Sequence, residues 1–144
     1  TVKSRLLPRK EGLYLKHTGG AKGRGVFCRT PVKKGEVLEV TPALLLNEEE
    51  TETVDETHLV NYTFVVGDIS ARLRKKAEVI HTDHASCVIL GIMTFCNHDE
   101  RPNAEIEWEE EDGTLYYILR ATRNIPKNTE ICTTYGEGWF DDRK

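Results

Sequence analysis

Hydrophobic and polar positions along this chain alternate over short stretches and rarely hold a helical period. Ala104-Glu105-Ile106-Glu107-Trp108 alternates at every step, Asp112-Gly113 follows, and Leu115-Tyr116-Tyr117-Ile118-Leu119-Arg120 returns, which predicts a β-hairpin closed by a two-residue turn. Val26-Phe27-Cys28 reads as a strand, and Val37-Leu38-Glu39-Val40 and Ala43-Leu44-Leu45-Leu46 read as two more, separated by Pro42. Residues 59–66, rich in β-branched and aromatic side chains, favour extended structure. Thr18-Gly19-Gly20-Ala21-Lys22-Gly23-Arg24-Gly25 places four glycines in seven residues, a loop able to take positive φ.

Helical signals are few. Asn47 can cap a short helix that Glu50 reaches back to close. Residues 70–77 suit a helical turn or a basic hairpin, and residues 88–93 a short buried helix or a strand; periodicity separates neither pair. Val32-Lys33-Lys34-Gly35 is echoed by Ile125-Pro126-Lys127-Asn128, two similar corners in which Asn128 can stand where glycine would. The sum predicts a mostly β chain, a β-rich α+β fold of several small sheets and short helices. A length of 144 residues is that of one domain, read as 1–144 with a core at about 13–140.

Composition adds limits. With 38% hydrophobic and 31% charged residues, no apolar run approaches the ~18–20 residues that span a bilayer, so no membrane role is expected. Thr1-Val2-Lys3-Ser4-Arg5 has no apolar core of a signal peptide. Cys28, Cys87, Cys96 and Cys132 are spread singly, without the C-x-x-C pairing of a zinc site or redox dithiol, and read as small buried residues in an intracellular, reducing compartment, cytoplasm or nucleus. The net charge of -4 is mild, but the acids cluster at Glu48 to Glu56 and at Glu105 to Asp112. Each block is a solvated surface or a rim that attracts a lysine-rich partner, and neither favours direct contact with nucleic acid.

The residues with chemistry sit mainly in two clusters. Thr94-Phe95-Cys96-Asn97-His98-Asp99-Glu100-Arg101-Pro102-Asn103 follows an apolar run, and Thr133-Thr134-Tyr135-Gly136-Glu137-Gly138-Trp139-Phe140 closes the chain. We expect the two to meet in one active site. His81-Thr82-Asp83-His84 and His98-Asp99-Glu100 contain metal-capable side chains at spacings with no established mechanism, so no metal site is expected. No nucleophile elbow, Walker loop or dinucleotide fingerprint is present.

Three pieces in order carry a resemblance. They are Gly23-Arg24-Gly25-Val26-Phe27 with Lys34-Gly35-Glu36, then Phe95-Cys96-Asn97-His98-Asp99 with Pro102-Asn103-Ala104, then Arg123-Asn124-Ile125-Pro126 leading to Glu130-Ile131-Cys132-Thr133-Thr134-Tyr135-Gly136. Together they resemble the SET-domain lysine methyltransferases, over nearly the whole chain from about Gly19 to Phe140. The resemblance implies a minimal single-domain member, without zinc-binding flanking modules, whose C-terminal segment threads a loop to form a pseudoknot. It implies transfer of a methyl group from S-adenosylmethionine to a protein lysine, histone-like or not, with S-adenosylhomocysteine as product.

The resemblance also assigns roles. Gly23 and Gly25 give the cofactor close backbone approach, with Lys22 and Arg24 near its carboxylate. Asn97 binds it through the side-chain amide and His98 through backbone contacts to adenine; the plainer reading of His98 is a buried histidine that fixes a turn. Tyr135 becomes the catalytic tyrosine, aligning the methyl group and the lysine nitrogen; without Gly136 and Asn97-His98 it would read as a core tyrosine at a strand end. Tyr62 is the first candidate for the wall of the lysine channel. Trp139 is the second, and with Phe140 it could pack over the cofactor or simply cap the core.

The departures are Asp99 in place of the usual serine, Cys96 in place of an aliphatic residue and Asn128 in place of glycine. A carboxylate only accepts hydrogen bonds where serine can also donate, so Asp99 departs from the family's local hydrogen-bond pattern. The rival function is a catalytically inactive SET-like module that binds a peptide or partner. A homodimer is one way for so small a domain to complete a peptide groove.

Overall fold

The computed structural model describes residues 12–20 and 23–134. Among them are nine strands, two seven-residue α-helices and short 3-10 turns, a β-rich fold as the alternation predicts. The residues pack into two compact units. One takes those up to Val40, Gly91–Glu107 and those from Ile118 on; the other takes Thr41–Leu90 and Trp108–Tyr117.

The first unit holds a four-stranded sheet in the order β1-β2-β9-β6, formed by Leu13–His17, Arg24–Cys28, Glu130–Thr133 and Asn97–His98. β1 and β2 are antiparallel from Leu13↔Cys28 to His17↔Arg24. The glycine loop joins them, Gly19 and Gly23 taking the positive φ values of 76° and 71° that the sequence anticipates. β2 pairs antiparallel with β9 at Val26↔Ile131 and Phe27↔Glu130. On the other side of β9, β6 runs parallel at Asn97↔Cys132 and His98↔Thr133. Val26, Leu38, Met93, Ile118 and Ile131 fill this unit's core. The two echoing corners also lie here and pair directly, Val32 and Ile125 exchanging N–H to O bonds of 2.8 Å. Asn128 has φ 58°, the left-handed conformation expected of a glycine substitute.

A five-stranded sheet has the order β4-β5-β3-β8-β7. Its members are β3 (Val37–Leu46), β4 (Thr63–Val65), β5 (Ser86–Ile89), β7 (Ala104–Glu111) and β8 (Thr114–Ala121). The β7–β8 hairpin turns through Asp112 and Gly113, both at positive φ. In the second unit Phe64, Leu73, Cys87, Ile89, Leu115 and Tyr117 are buried, with the Tyr117 ring 6.4 Å from that of Phe64 and its hydroxyl accepting from Cys87 Sγ. Burial pushes the Tyr117 phenol far above its ordinary range, and its hydroxyl donates to the Val65 carbonyl.

Local chemistry decides the elements that periodicity leaves open. Asn47 caps α1 (Glu48–Val54) in a closed capping box: Glu50 N–H donates to Asn47 Oδ1 at 2.9 Å and Asn47 N–H to Glu50 Oε1 at 3.0 Å. Residues 70–77 become α2 (Ala71–Ala77), capped by Ser70 Oγ on Leu73 N–H and ended by Glu78 at φ 60°. Two expectations are corrected. The supposed pair of strands around Pro42 is one continuous β3; the proline lacks a donor, but its carbonyl accepts from Leu90 N–H. Residues 59–66 are not extended throughout. His58–Tyr62 is a 3-10 turn, because Thr57 Oγ1 accepts from Leu59 N–H and the Thr57 carbonyl from Val60 N–H, and only Thr63–Val65 is a strand.

Candidate active site

β9 is the axis of the first unit's polar site. It lies between β2, which carries Gly25, and β6, which carries Asn97, so two motifs far apart in sequence face each other across one strand. Asn97 Nδ2 donates to Glu130 Oε2 at 2.6 Å and, more weakly, to the Arg24 carbonyl at 3.4 Å. A Cβ on Gly25 would run into the Glu130 carboxylate and come within 2.9 Å of Asn97 Nδ2. Gly25 is therefore a glycine because the Asn97–Glu130 bond crosses it, whereas Gly23 is one because of its backbone. Around Gly23 the space is open: an added Cβ meets nothing within 4 Å. The Gly23 carbonyl is held by Thr18 N–H and Oγ1, at 2.7 and 2.6 Å.

The loop after Asn97-His98 is fastened to the same strand. Asn103 uses its whole amide on β9: Nδ2 donates to the Glu130 carbonyl and Oδ1 accepts from Cys132 N–H, both at 2.8 Å. Its own N–H donates to the Cys132 carbonyl. Arg123 closes the loop from outside, donating to the Arg101 and Pro102 carbonyls at 2.8 and 2.7 Å. Asp99 N–H donates to the Thr133 carbonyl, and Asp99 Oδ1 accepts from Arg101 N–H at 2.8 Å. That is an Asx turn, which uses only the acceptor a carboxylate has. Thr133 Oγ1 is buried and meets no partner among the described residues.

The approach to Asn97 is set by Glu39 on β3. Its two carboxylate oxygens accept from Ile92 N–H (2.9 Å) and Met93 N–H (2.8 Å), the first donors of the 3-10 turn Ile92–Phe95. Burial raises the Glu39 pKa, and these two N–H groups partly offset it. A Cβ on Gly91 would meet the same carboxylate at 2.7 Å. Cys96 ends the turn fully buried, and desolvation drives its thiol far above the usual range, so it is an inert packing group.

Of the residues expected from sequence, Gly23, Arg24, Gly25, Asn97 and His98 come together around β9. Arg24 lies with its guanidinium 5.6 Å from the centre of the Phe95 ring. Tyr62 belongs to the second unit, at the end of the 3-10 turn and 39% exposed. Lys22, Tyr135, Trp139 and Phe140 lie outside the described residues, as does the C-terminal threading. Sequence reasoning gave no role to Glu130, Asn103 as a clamp on β9, or Glu39. The one available signal was a lone acid in the apolar run Val37-Leu38-Glu39-Val40.

With Nδ2 committed to Glu130, the side-chain atom Asn97 can present to a ligand is the acceptor Oδ1. An open backbone at Gly23, an amide oxygen, a carboxylate with no ion-pair partner among the described residues and the Arg24 cation suit a small zwitterion that carries positive charge.

Comparison with known proteins gives this geometry a context. A protein-family profile described as SET domain matches residues 23–136. A histone-lysine N-methyltransferase of Schizosaccharomyces pombe, H3 lysine-37 specific, is 30% identical over 123 residues, covering 84% of this chain and 72% of that protein. Among solved structures, a candidate histone methyltransferase of Plasmodium falciparum superposes with a TM-score of 0.65 at 26% identity, over 90% of this chain and 97% of its own. The Neurospora SET domain protein DIM-5, a histone lysine methyltransferase, gives a TM-score of 0.67 over 94% of this chain and 55% of that one; at 23% identity it speaks for the fold alone.

Proposed function

The chain belongs to the SET-domain family, and on that premise we propose that it moves a methyl group from S-adenosylmethionine to the side-chain amine of a protein lysine. The observation that carries this reading is the crossing of Asn97 and Glu130 over Gly25, beside a strand that ends two residues before Tyr135. S-adenosylmethionine supplies a methyl group made electrophilic by a cationic sulfonium. Gly23 would offer open backbone, Asn97 Oδ1 an acceptor for the cofactor's ammonium, and Lys22 and Arg24 cations for its carboxylate. His98 would hold the adenine through its backbone, and Trp139 and Phe140 would cover the cofactor.

Tyr135 is the proposed catalytic residue. Its hydroxyl would orient the incoming lysine nitrogen, and holding two reactants in line can remove ~7–11 kcal/mol of barrier. That nitrogen must be neutral to attack. A free lysine of pKa ~10.4 is almost wholly protonated at neutral pH, so a narrow channel walled by Tyr62 and Trp139 would favour loss of its proton. Relatives named for histone methylation, together with the acidic blocks of this chain, support a basic, histone-like substrate. A single SET domain, self-associated as a homodimer and working in a reducing intracellular compartment, completes the proposal. All four cysteines are free and buried, in keeping with such a compartment.

The test is transfer of labelled methyl to core histones and to a basic peptide library, with calorimetric titration of S-adenosylhomocysteine. Tyr135→Phe should keep binding and lose most turnover; unchanged turnover would overturn its assignment. Cofactor binding without transfer to any substrate would favour the inactive peptide-binding module.

A further inference from the structure

The sheet of the second unit has one face that is only half covered. The register Leu46↔Ser86, Leu44↔Val88 and Ala43↔Ile89 puts Leu46, Leu44 and Pro42 on the same side as Ser86, Val88 and Leu90. The opposite side carries Cys87 and Ile89 into the core around Tyr117. On the half-covered face the burial changes abruptly along the strands. At one end Leu46 is 7% and Ser86 3% exposed. α1 sits over that end, Thr51 Oγ1 lying 3.0 Å from Ser86 Oγ, while in the next row Thr63, paired with Val88, is buried and its Oγ1 donates to the Val60 carbonyl of the 3-10 turn. At the other end Leu44 is 56% and Leu90 60% exposed, with Pro42 exposed beside them. A lone exposed leucine means little, but here two leucines and a proline share one face of neighbouring strands.

The helix that stops short of this patch is strongly acidic. α1 carries Glu48, Glu49, Glu50 and Glu52, with no basic residue in its last turn, and Asp55 and Glu56 follow. No Lys or Arg occurs from Gly35 to Ala71. No residue of α1 takes part in the Arg120–Glu107 ion pair or the Asp83–His84 contact. The Glu48 carboxylate is further stabilised as an anion, chiefly by the Ile80 N–H. An apolar floor beside carboxylates with no ion-pair partner among the described residues suits a segment that alternates aliphatic side chains with Lys or Arg, whose stems lie on the leucines while their heads reach the acids.

We propose that this face, floored by Leu44 and Leu90 and bordered by α1, docks a basic segment of the substrate protein away from its target lysine. The inference rests on the reading of the chain as a protein-lysine methyltransferase. A second copy of the chain fits less well, because pairing two such faces brings two acidic helices to one interface.

The test separates docking from catalysis by measuring binding without cofactor. Full-length histone H3 serves as the basic protein probe, and a 15-residue lysine-bearing peptide from its tail as the short one. Leu44→Asp/Leu90→Asp and Glu49→Lys/Glu52→Lys alter exposed positions, so both variants should melt as the wild type does. Each should bind histone H3 at least tenfold more weakly and raise its KM by a similar factor, with kcat/KM for the short peptide unchanged. Undiminished histone binding by both variants overturns the proposal, whatever the enzyme's activity. Weakened histone binding in a protein that methylates nothing leaves the docking face standing and removes the catalytic reading. A wild-type dimer by light scattering that Leu44→Asp/Leu90→Asp dissociates assigns the face to a second copy and overturns the proposal.

Discussion

Gly25→Ala tests the site at its tightest point. The added Cβ lands on the Glu130 carboxylate and 2.9 Å from Asn97 Nδ2. The carboxylate is the end of a flexible side chain and can swing aside, but only by releasing the 2.6 Å bond from Asn97. A hydrogen bond to a charged group contributes about 1.5–3 kcal/mol. Gly25 does not have positive φ, so alanine meets no backbone penalty there and regains about 0.5–1 kcal/mol over glycine within a strand. The balance is a loss of about 1–2 kcal/mol of stability by urea unfolding. If the released Asn97 amide no longer presents Oδ1, affinity for S-adenosylhomocysteine should fall by about 5–30-fold in calorimetric titration.

Gly23→Ala is the informative partner. Its Cβ would have open space, and the strain is in the backbone at φ 71°, about 1–2 kcal/mol. The two substitutions thus lower stability by similar amounts for different reasons, and a double-mutant cycle distinguishes them. In a Glu130→Ala background the obstacle to Gly25→Ala is gone, so the cycle should show a coupling of about 1–2 kcal/mol, whereas Gly23→Ala should be additive with Glu130→Ala. Additivity at Gly25, or wild-type ligand affinity in Gly25→Ala, would refute the argument that the Asn97–Glu130 bond dictates this glycine.

Two further outcomes follow from the same network. Asn103→Ala removes two side-chain bonds to β9 and leaves the Cys132 N–H without its acceptor, which should destabilise the fold by about 2–4 kcal/mol and speed amide exchange at Cys132 relative to Val26. Glu39 has a pKa raised by burial above its ordinary 4.5, so its contribution to stability is full below that value and is lost as pH rises through the raised one. The stability difference between wild type and Glu39→Gln should therefore shift against the wild type from about pH 4.5 upward, and a flat difference across pH 4–8 would exclude the buried carboxylate as its cause.

Much of the local structure is legible in the sequence because its causes are local. Asn47 and Glu50 close their capping box within four residues, and Asp112-Gly113 turns the hairpin by its own φ values. Asn128 takes the left-handed conformation its side chain tolerates. The misreadings also have local causes that propensity does not weigh: a threonine cap at Thr57 overrides β-branched neighbours, and the Pro42 carbonyl keeps β3 in the sheet. The site's interior was not legible in the same way. Asn97 meets Glu130 across 33 residues and Arg24 across 73, and Glu39 reaches Ile92 across 53. No periodicity encodes those separations; they arise from β6 and β9 pairing in parallel and from β2 lying on the far side of β9.

β9 therefore matters to the site chiefly through its backbone. Its carbonyls at Glu130, Cys132 and Thr133 accept from Asn103 Nδ2, Asn103 N–H and Asp99 N–H, while its Cys132 N–H is held by Asn103 Oδ1. The loop of residues 99–103 is thus fixed mainly by groups whose identity on β9 is irrelevant, which explains how Cys132 and Thr133 can occupy positions in the middle of the motif without disturbing it. Asp99 fits the same logic. Serine is usual there, but the demand on its side chain in this protein is to accept the Arg101 N–H, and a carboxylate meets that demand. The side chains that geometry does constrain are the ones whose partners are other side chains: Asn97, the Glu130 that fixes its amide, and the missing side chain at Gly25.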